Sequence, residues 1–200
     1  MGPAGRPLKY TENPMALVDR VKNMIVAPAR EWPVIAGETP TVGSLYTGYI
    51  MILAAIGPIA IALSFAFLGL GFVTALMSYL IGLAMVYVLA FVVDFLAPHF
   101  GGEKNFIRAL QLVAYSATAA WIGGIFHLIP FLGSLLSLAA GVYTLYLFYL
   151  GAPTLRKCAT DKAVVFTIVY VLCAIVVGVL LSWILLGVTG AGLSPMALSR

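Results

Sequence analysis

The chain has 200 residues, 62% hydrophobic and only 9% charged, with a mean hydropathy of +1.08. A soluble domain carries about 45–50% apolar and about 25% charged residues, so this composition excludes a water-soluble fold, a disordered chain, a disulfide scaffold and a nucleic-acid-binding domain. The 11 Lys and Arg against 7 Asp and Glu give a net charge of +4, an excess that in a membrane protein reports topology.

Residues 1–44 read as a polar cytoplasmic arm. Charges from Arg6 to Glu38 punctuate it, so no apolar stretch of leader-peptide length appears and a cleavable signal is not expected. Asn13-Pro14 reads as an N-cap followed by proline at the first helical position. Leu17, Val21, Met24 and Ile25 then share one helical face, with Asp19, Arg20, Lys22 and Asn23 toward the other. The pattern predicts an amphipathic helix over about 14–27, ended by Pro28, lying in the headgroup plane. Trp32 is expected as an interfacial anchor. A partner-binding helix is the alternative.

Five long apolar runs follow, at about 47–67, 72–96, 109–129, 131–150 and 163–187. Each is near the roughly 20 residues needed to cross a bilayer, and runs of that length must be helical to satisfy their own backbone. The predicted fold is an all-α polytopic transmembrane bundle over 45–187, with a short outer tail at 188–200. The third run is the least obvious, with Gln111 near its start and the small-residue stretch AYSATAAW at 114–121. Charge parity supports it. Lys and Arg number 5, 0, 2, 0, 3 and 1 in the successive segments outside the runs. Five crossings put every basic connection on one side, which predicts the N-terminus inside and the C-terminus outside. The sizeable loops, 97–108 and 151–162, are then cytoplasmic, and a soluble partner would dock there.

Asp94 is the one ionisable residue well inside a predicted span. Arg108 begins the next antiparallel helix at similar depth, so an Asp94–Arg108 pair fastening spans two and three is the main expectation. A proton or cation relay is the alternative, since intramembrane acids are often functional. His99 and His127 fall at opposite ends of their spans, which excludes a metal cage with Asp94. Cys158 lies in a polar connection and Cys173 in an apolar run, so a disulfide is not expected. No phosphate-cradling glycine loop, GxSxG, HExxH or paired acids appear. No enzyme activity, cofactor or metal is therefore expected.

Small residues recur every four positions in three spans: Thr74, Ser78 and Gly82; Ser116, Ala120 and Gly124; Ala174, Gly178 and Ser182. Such ladders let helices approach closely within the bundle, or between copies in a homo-oligomer through span five. Gly57-Pro58 is expected to kink span one. Tyrosines such as Tyr46, Tyr49, Tyr143, Tyr146 and Tyr149 are expected to form an aromatic belt.

Several segments in order resemble one family. APAREWPVIAGE at 27–38 is similar to a pre-membrane Pro/Trp/Glu segment. HFGGEKNF at 99–106, with Gly101 and Gly102, is similar to a glycine-pair loop before span three. AYSATAAW, IPFLG at 129–133, YTLYLFYLG at 143–151 and DKA at 161–163 follow. The series resembles the bacterial branch of the Yip domain family, five-span proteins named for interaction with Ypt/Rab GTPases. That resemblance implies a cytoplasmic N-terminus, five helices, the bacterial inner membrane, and a role in membrane organisation or trafficking like that of the eukaryotic members. The acidic-Tyr-Gly-Pro segment of the eukaryotic pattern is missing, so Rab binding does not carry over. No proline stands in AYSATAAW. The expected function is a non-enzymatic membrane scaffold or partner-binding subunit; the alternative is a small transporter or channel subunit using Asp94.

Overall fold

The computed structural model describes residues 14–64, 71–129, 132–157 and 160–192. No strand occurs among them. Five helical segments are long and apolar enough to cross a membrane: Val42–Ser64, Phe72–Phe100, Phe106–Leu128, Leu132–Arg156 and Ala163–Trp183. All five predicted spans are therefore present. Span three, the least obvious in the sequence, is the most enclosed, with 67% of its apolar window buried against 11% for span five. It forms the centre of the bundle.

Two helices precede the spans: α1 (Pro14–Val26) and α2 (Pro28–Gly37). The apolar face predicted for α1 is its inner face, with Met24 fully buried and Leu17, Val21 and Ile25 packed on the core. The expected N-cap, Asn13, lies outside the described residues. Pro28 does end α1, but it also opens α2, standing at a first-turn position where its missing N–H costs nothing. The two helices form a hairpin against spans three and four. The end of the molecule where the hairpin enters is called the arm side below.

Span one opens with α3 (Val42–Leu45), capped by reciprocal bonds between Thr41 and Ser44. A π-helical stretch, Tyr46–Ile50, leads into α4 (Met51–Ala54) and α5 (Ile56–Ser64). The break at Ala55 lies one turn before Pro58, where the proline cannot donate to the ladder. Span two is α6 (Gly71–Leu96), extended by a 3-10 turn over Ala97–Phe100.

Span three consists of α7 (Phe106–Ser116), α8 (Thr118–Gly123) and a 3-10 turn to Leu128. It breaks at Ala117 without a proline. The Thr118 hydroxyl donates to the Tyr115 carbonyl at 2.6 Å and also meets the Tyr49 hydroxyl at 2.6 Å. This side-chain bonding competes with the backbone ladder and bends the helix.

Span four is α9 (Leu132–Arg156) and span five is α10 (Ala163–Gly192). Span four continues beyond the predicted end at 150 because the charge of Arg156 is neutralised inside the protein. Span five attaches to span four through Phe148, which stacks on Tyr170 at 3.9 Å and touches Phe166.

Three of the tyrosines expected in a belt engage other helices instead. Tyr49 is buried, Tyr46 donates to the Leu83 carbonyl at 3.0 Å, and Tyr143 donates to the Ile25 carbonyl at 2.7 Å. These phenols tie helices together, as polar side chains do where no water is at hand. The small-residue ladders pack inside the bundle only in part: Thr74, Ala120 and Ser182 are exposed, while two of the glycines face other spans. A Cβ on Gly124 would stand 2.8 Å from the Gly57 Cα, so spans one and three meet backbone to backbone. Gly178 of span five faces the Met85 side chain of span two.

Candidate functional site: buried ion clusters on the arm side

Asp94 sits in the last turn of α6, where span two reaches the arm side. The loop after it turns sharply at Gly101, whose φ of +76° is left-handed. A Cβ there would meet nothing, so the backbone conformation alone selects glycine. The Gly102 N–H returns to the Ala97 carbonyl at 2.9 Å. The glycine pair thus directs residues 103–105 across the end of span four.

The expected Asp94–Arg108 pair does not form. Asp94 Oδ1 instead accepts from Arg156 Nη2 at 2.9 Å and from the Asn105 N–H at 2.6 Å. Arg156 also donates to the Asn105 carbonyl, and its own carbonyl accepts from the Glu103 N–H at 3.1 Å. Arg156 is fully buried and Asp94 nearly so. One ion pair therefore joins spans two and four and the loop that starts span three. Asn105 then caps α7, its side chain accepting from the Arg108 N–H at 3.1 Å. Outside this knot, Lys157 and Glu103 pair at 2.9 Å with both side chains about two-thirds exposed, a surface contact of little energetic weight.

Arg108 is engaged elsewhere. Its Nη1 donates to the Ile35 carbonyl at 3.3 Å and to Gln111 Oε1 at 3.1 Å. Gln111, fully buried, donates to the same Ile35 carbonyl at 3.3 Å. Span three thus grips the last turn of α2 through a carbonyl that also accepts from the Glu38 N–H at 3.1 Å.

A second ion cluster was missed in the sequence. Arg20, expected on the polar face of α1, is buried and pairs with Glu31 and Glu38, while Asn23 donates to Glu31 at 3.1 Å. Its guanidinium also lies over the Tyr115 ring, 5.5 Å from the centroid. Burial raises the Glu38 pKa from its ordinary 4.5, only partly offset by the adjacent Arg20. Two signals were present: Glu31 and Glu38 are seven residues apart, and both lie within reach of a short hairpin.

Trp32 is likewise no exposed anchor. It is almost completely buried, and a Cβ on Gly151 would stand 2.6 Å from its ring. Glycine in span four makes room for the indole.

The histidines stay apart. His99 lies in the last turn of span two with its ring tilted against Phe95, while His127 bonds the Gly124 carbonyl at the other end of span three. No group of three or more His, Cys, Asp or Glu that could hold a metal occurs among the described residues. Cys173 is a free thiol, and Cys158 lies outside the described residues. A cavity of about 240 Å³ opens between spans one, two and three, lined by Gly57, Pro58, Ser78, Gly82, Trp121 and His127 among others. It includes neither Asp94 nor Arg156.

The family model that describes the Yip1 domain matches residues 22–187. The chain is also similar to the inner membrane protein YohC of Escherichia coli strain K12, 26% identical over 178 residues, covering 81% of this chain and 89% of that protein. YohC of E. coli O6:H1 matches to the same extent. No solved structure matches the chain.

Proposed function

The chain belongs to the Yip1 domain family, and on that premise we propose that it is a non-enzymatic organiser of the bacterial inner membrane, the membrane named for its relative YohC. It holds lipid and protein partners through its arm side. The basic counts favour the arm side as cytoplasmic, with the C-terminus outside.

One observation carries this reading over a transport role. The hydrogen bonds described at Asp94 go to Arg156 and to the Asn105 backbone, joining two spans and a loop. A carboxylate so held fastens the bundle. A relay group would instead face a polar path, as intramembrane acids in pumps do.

The two readings separate on one set of variants: Asp94→Asn, Asp94→Leu, and the exchange Asp94→Arg with Arg156→Asp. The organiser reading expects stability and abundance to fall in step with pairing, with partial recovery in the exchange. Loss of a proton- or cation-dependent flux in reconstituted vesicles by Asp94→Asn, at unchanged thermal stability, would overturn it. For topology, a reporter active only outside the cytoplasm should be active after Arg200 and silent within 151–162.

A further inference from the structure

Among the described residues, the arm side carries two helices that the opposite side lacks. How far they reach along the bundle follows from two contacts. Tyr143, at mid-length of α9, donates to the Ile25 carbonyl in the last turn of α1. In addition, α1 packs on α8, which begins just past the middle of span three. The hairpin's turn therefore lies level with the middle of two spans. The helix α2 has 10 residues, about 15 Å at 1.5 Å per residue, or half of a hydrocarbon layer roughly 30 Å thick. Its far end returns to the start of span three, where Arg108 and Gln111 hold Ile35.

The outward surface of the hairpin is apolar along its length between polar positions, with Val18 64% and Val34 44% exposed toward the entry. Val26 at the tip is 74% exposed and apolar. Asp19, Lys22 and Asn23, nearer the entry, are exposed and polar. The inward charge of Arg20 is paired with Glu31 and Glu38. Lys22 and the exposed Arg30 extend their charges on flexible stems part of the way back toward the headgroups. An element of this kind enters one leaflet, stops near the midplane and leaves by the same side.

We propose that the hairpin is a one-leaflet wedge. It adds the cross-section of two helices, each about 10 Å across, to the arm-side leaflet and nothing to the other. The protein therefore favours membrane that is convex toward its arm side. This deepens the organiser reading and rests on it: lipid shape becomes the thing organised. An organiser acting only through protein partners would fail the test below yet pass the Asp94 test above.

The test uses the full chain in giant vesicles of phosphatidylethanolamine and phosphatidylglycerol. A Gly2→Cys variant, in a Cys158→Ser, Cys173→Ala background, is labelled after reconstitution with an impermeant dye, which marks only arm-outward molecules. Tubes are then pulled outward. Tube-to-vesicle enrichment above unity is expected for these molecules, and depletion below unity for arm-inward ones, read from a second sample labelled before reconstitution whose outer dye is then quenched. A ratio of unity for both, or the same sign for both, overturns the wedge. Depth gives a second decision. Spin labels at Val18→Cys and Val26→Cys in the same background should report an interfacial and a mid-bilayer position respectively, by oxygen against nickel-complex collision. A headgroup-level Val26 label would overturn the proposal whatever the tubes show.

Discussion

The two ends of the bundle are built differently. Toward the arm side lie the fully buried side chains of Met24, Trp32, Ile35, Val93, Leu110, Phe148 and Phe166. Toward the opposite side, Leu63, Phe72, Leu135, Leu180 and Trp183 are each 59% exposed or more. The tightly packed end is the one that carries the charged residues, so hydrophobicity does not explain the difference. In lipid a leucine gains little by leaving the tails for a neighbouring helix. Packing concentrates where polar groups must be satisfied, and on the arm side those are Asp94, Arg156, Arg20, Glu31 and the carbonyl of Ile35. The ion clusters draw the helices together, and the apolar side chains fill the space between.

The largest effects should come from breaking that asymmetry at its ion pair. Asp94→Leu or Arg156→Leu leaves a buried charge alone, which costs about 3–5 kcal/mol in comparable sites. Asp94→Asn should cost less, because an amide oxygen still accepts from Arg156 and from the Asn105 N–H. Replacing both as Asp94→Leu with Arg156→Leu should recover most of the loss. Thermal unfolding in detergent micelles would show the order. Single variants as stable as a lipid-facing control such as Leu135→Ala would mean that the pair does not hold the arm side together.

Glycines give the next largest contrast. Gly151→Ala places a methyl against the Trp32 ring and the Leu112 side chain, and overpacking of this kind costs about 1–3 kcal/mol. Gly141, on the same helix, has nothing within 4 Å of a would-be Cβ. Its Ala variant should be nearly neutral, within about 0.5 kcal/mol. Gly124 supplies a case on the opposite side. There the clash is with the Gly57 backbone, which cannot turn away. Gly124→Ala should therefore cost at least as much as Gly151→Ala, a local exception to the looser half. Melting temperatures of the three variants test the ranking.

The spans were legible because long apolar runs have few alternatives in a membrane. The polar joints were less so. Pro28 was read as a stop, yet the same residue starts α2, since proline suits the first turn of a helix and ends the one before it. A second proline, Pro33, stands inside α2. Trp32 looked like an anchor because the glycine that admits it, Gly151, lies more than a hundred residues away. Arg108 was chosen for Asp94 by adjacency in sequence. Several cations reach the same depth, however, and Arg108 is already engaged by Ile35 and Gln111. What decides is the path of the 101–105 loop, which brings Asn105 and Arg156 to Asp94 and which no local pattern specifies. Arg20 was misplaced because its amphipathic face was drawn from α1 alone, before α2 supplied two carboxylates opposite it.

The smallest expected effect is a pH dependence of the hairpin. Burial raises the Glu38 pKa above 4.5, against the pull of Arg20. The docked state thus binds more protons than the undocked one in the window just above 4.5. Stability from this group is greatest below that value, declines as pH rises through the raised pKa, and is flat beyond it. The slope should be modest, because 17% of the side chain remains exposed and solvent screens it. Glu38→Gln keeps an acceptor for Arg20 but cannot titrate. The difference in melting temperature between wild type and Glu38→Gln should therefore shrink toward acid and grow as pH rises, in favour of the variant. Acid-dependent stability that persists unchanged in Glu38→Gln would place the titrating group elsewhere. It would also remove Glu38 from the interactions that set the hairpin apart from the opposite half.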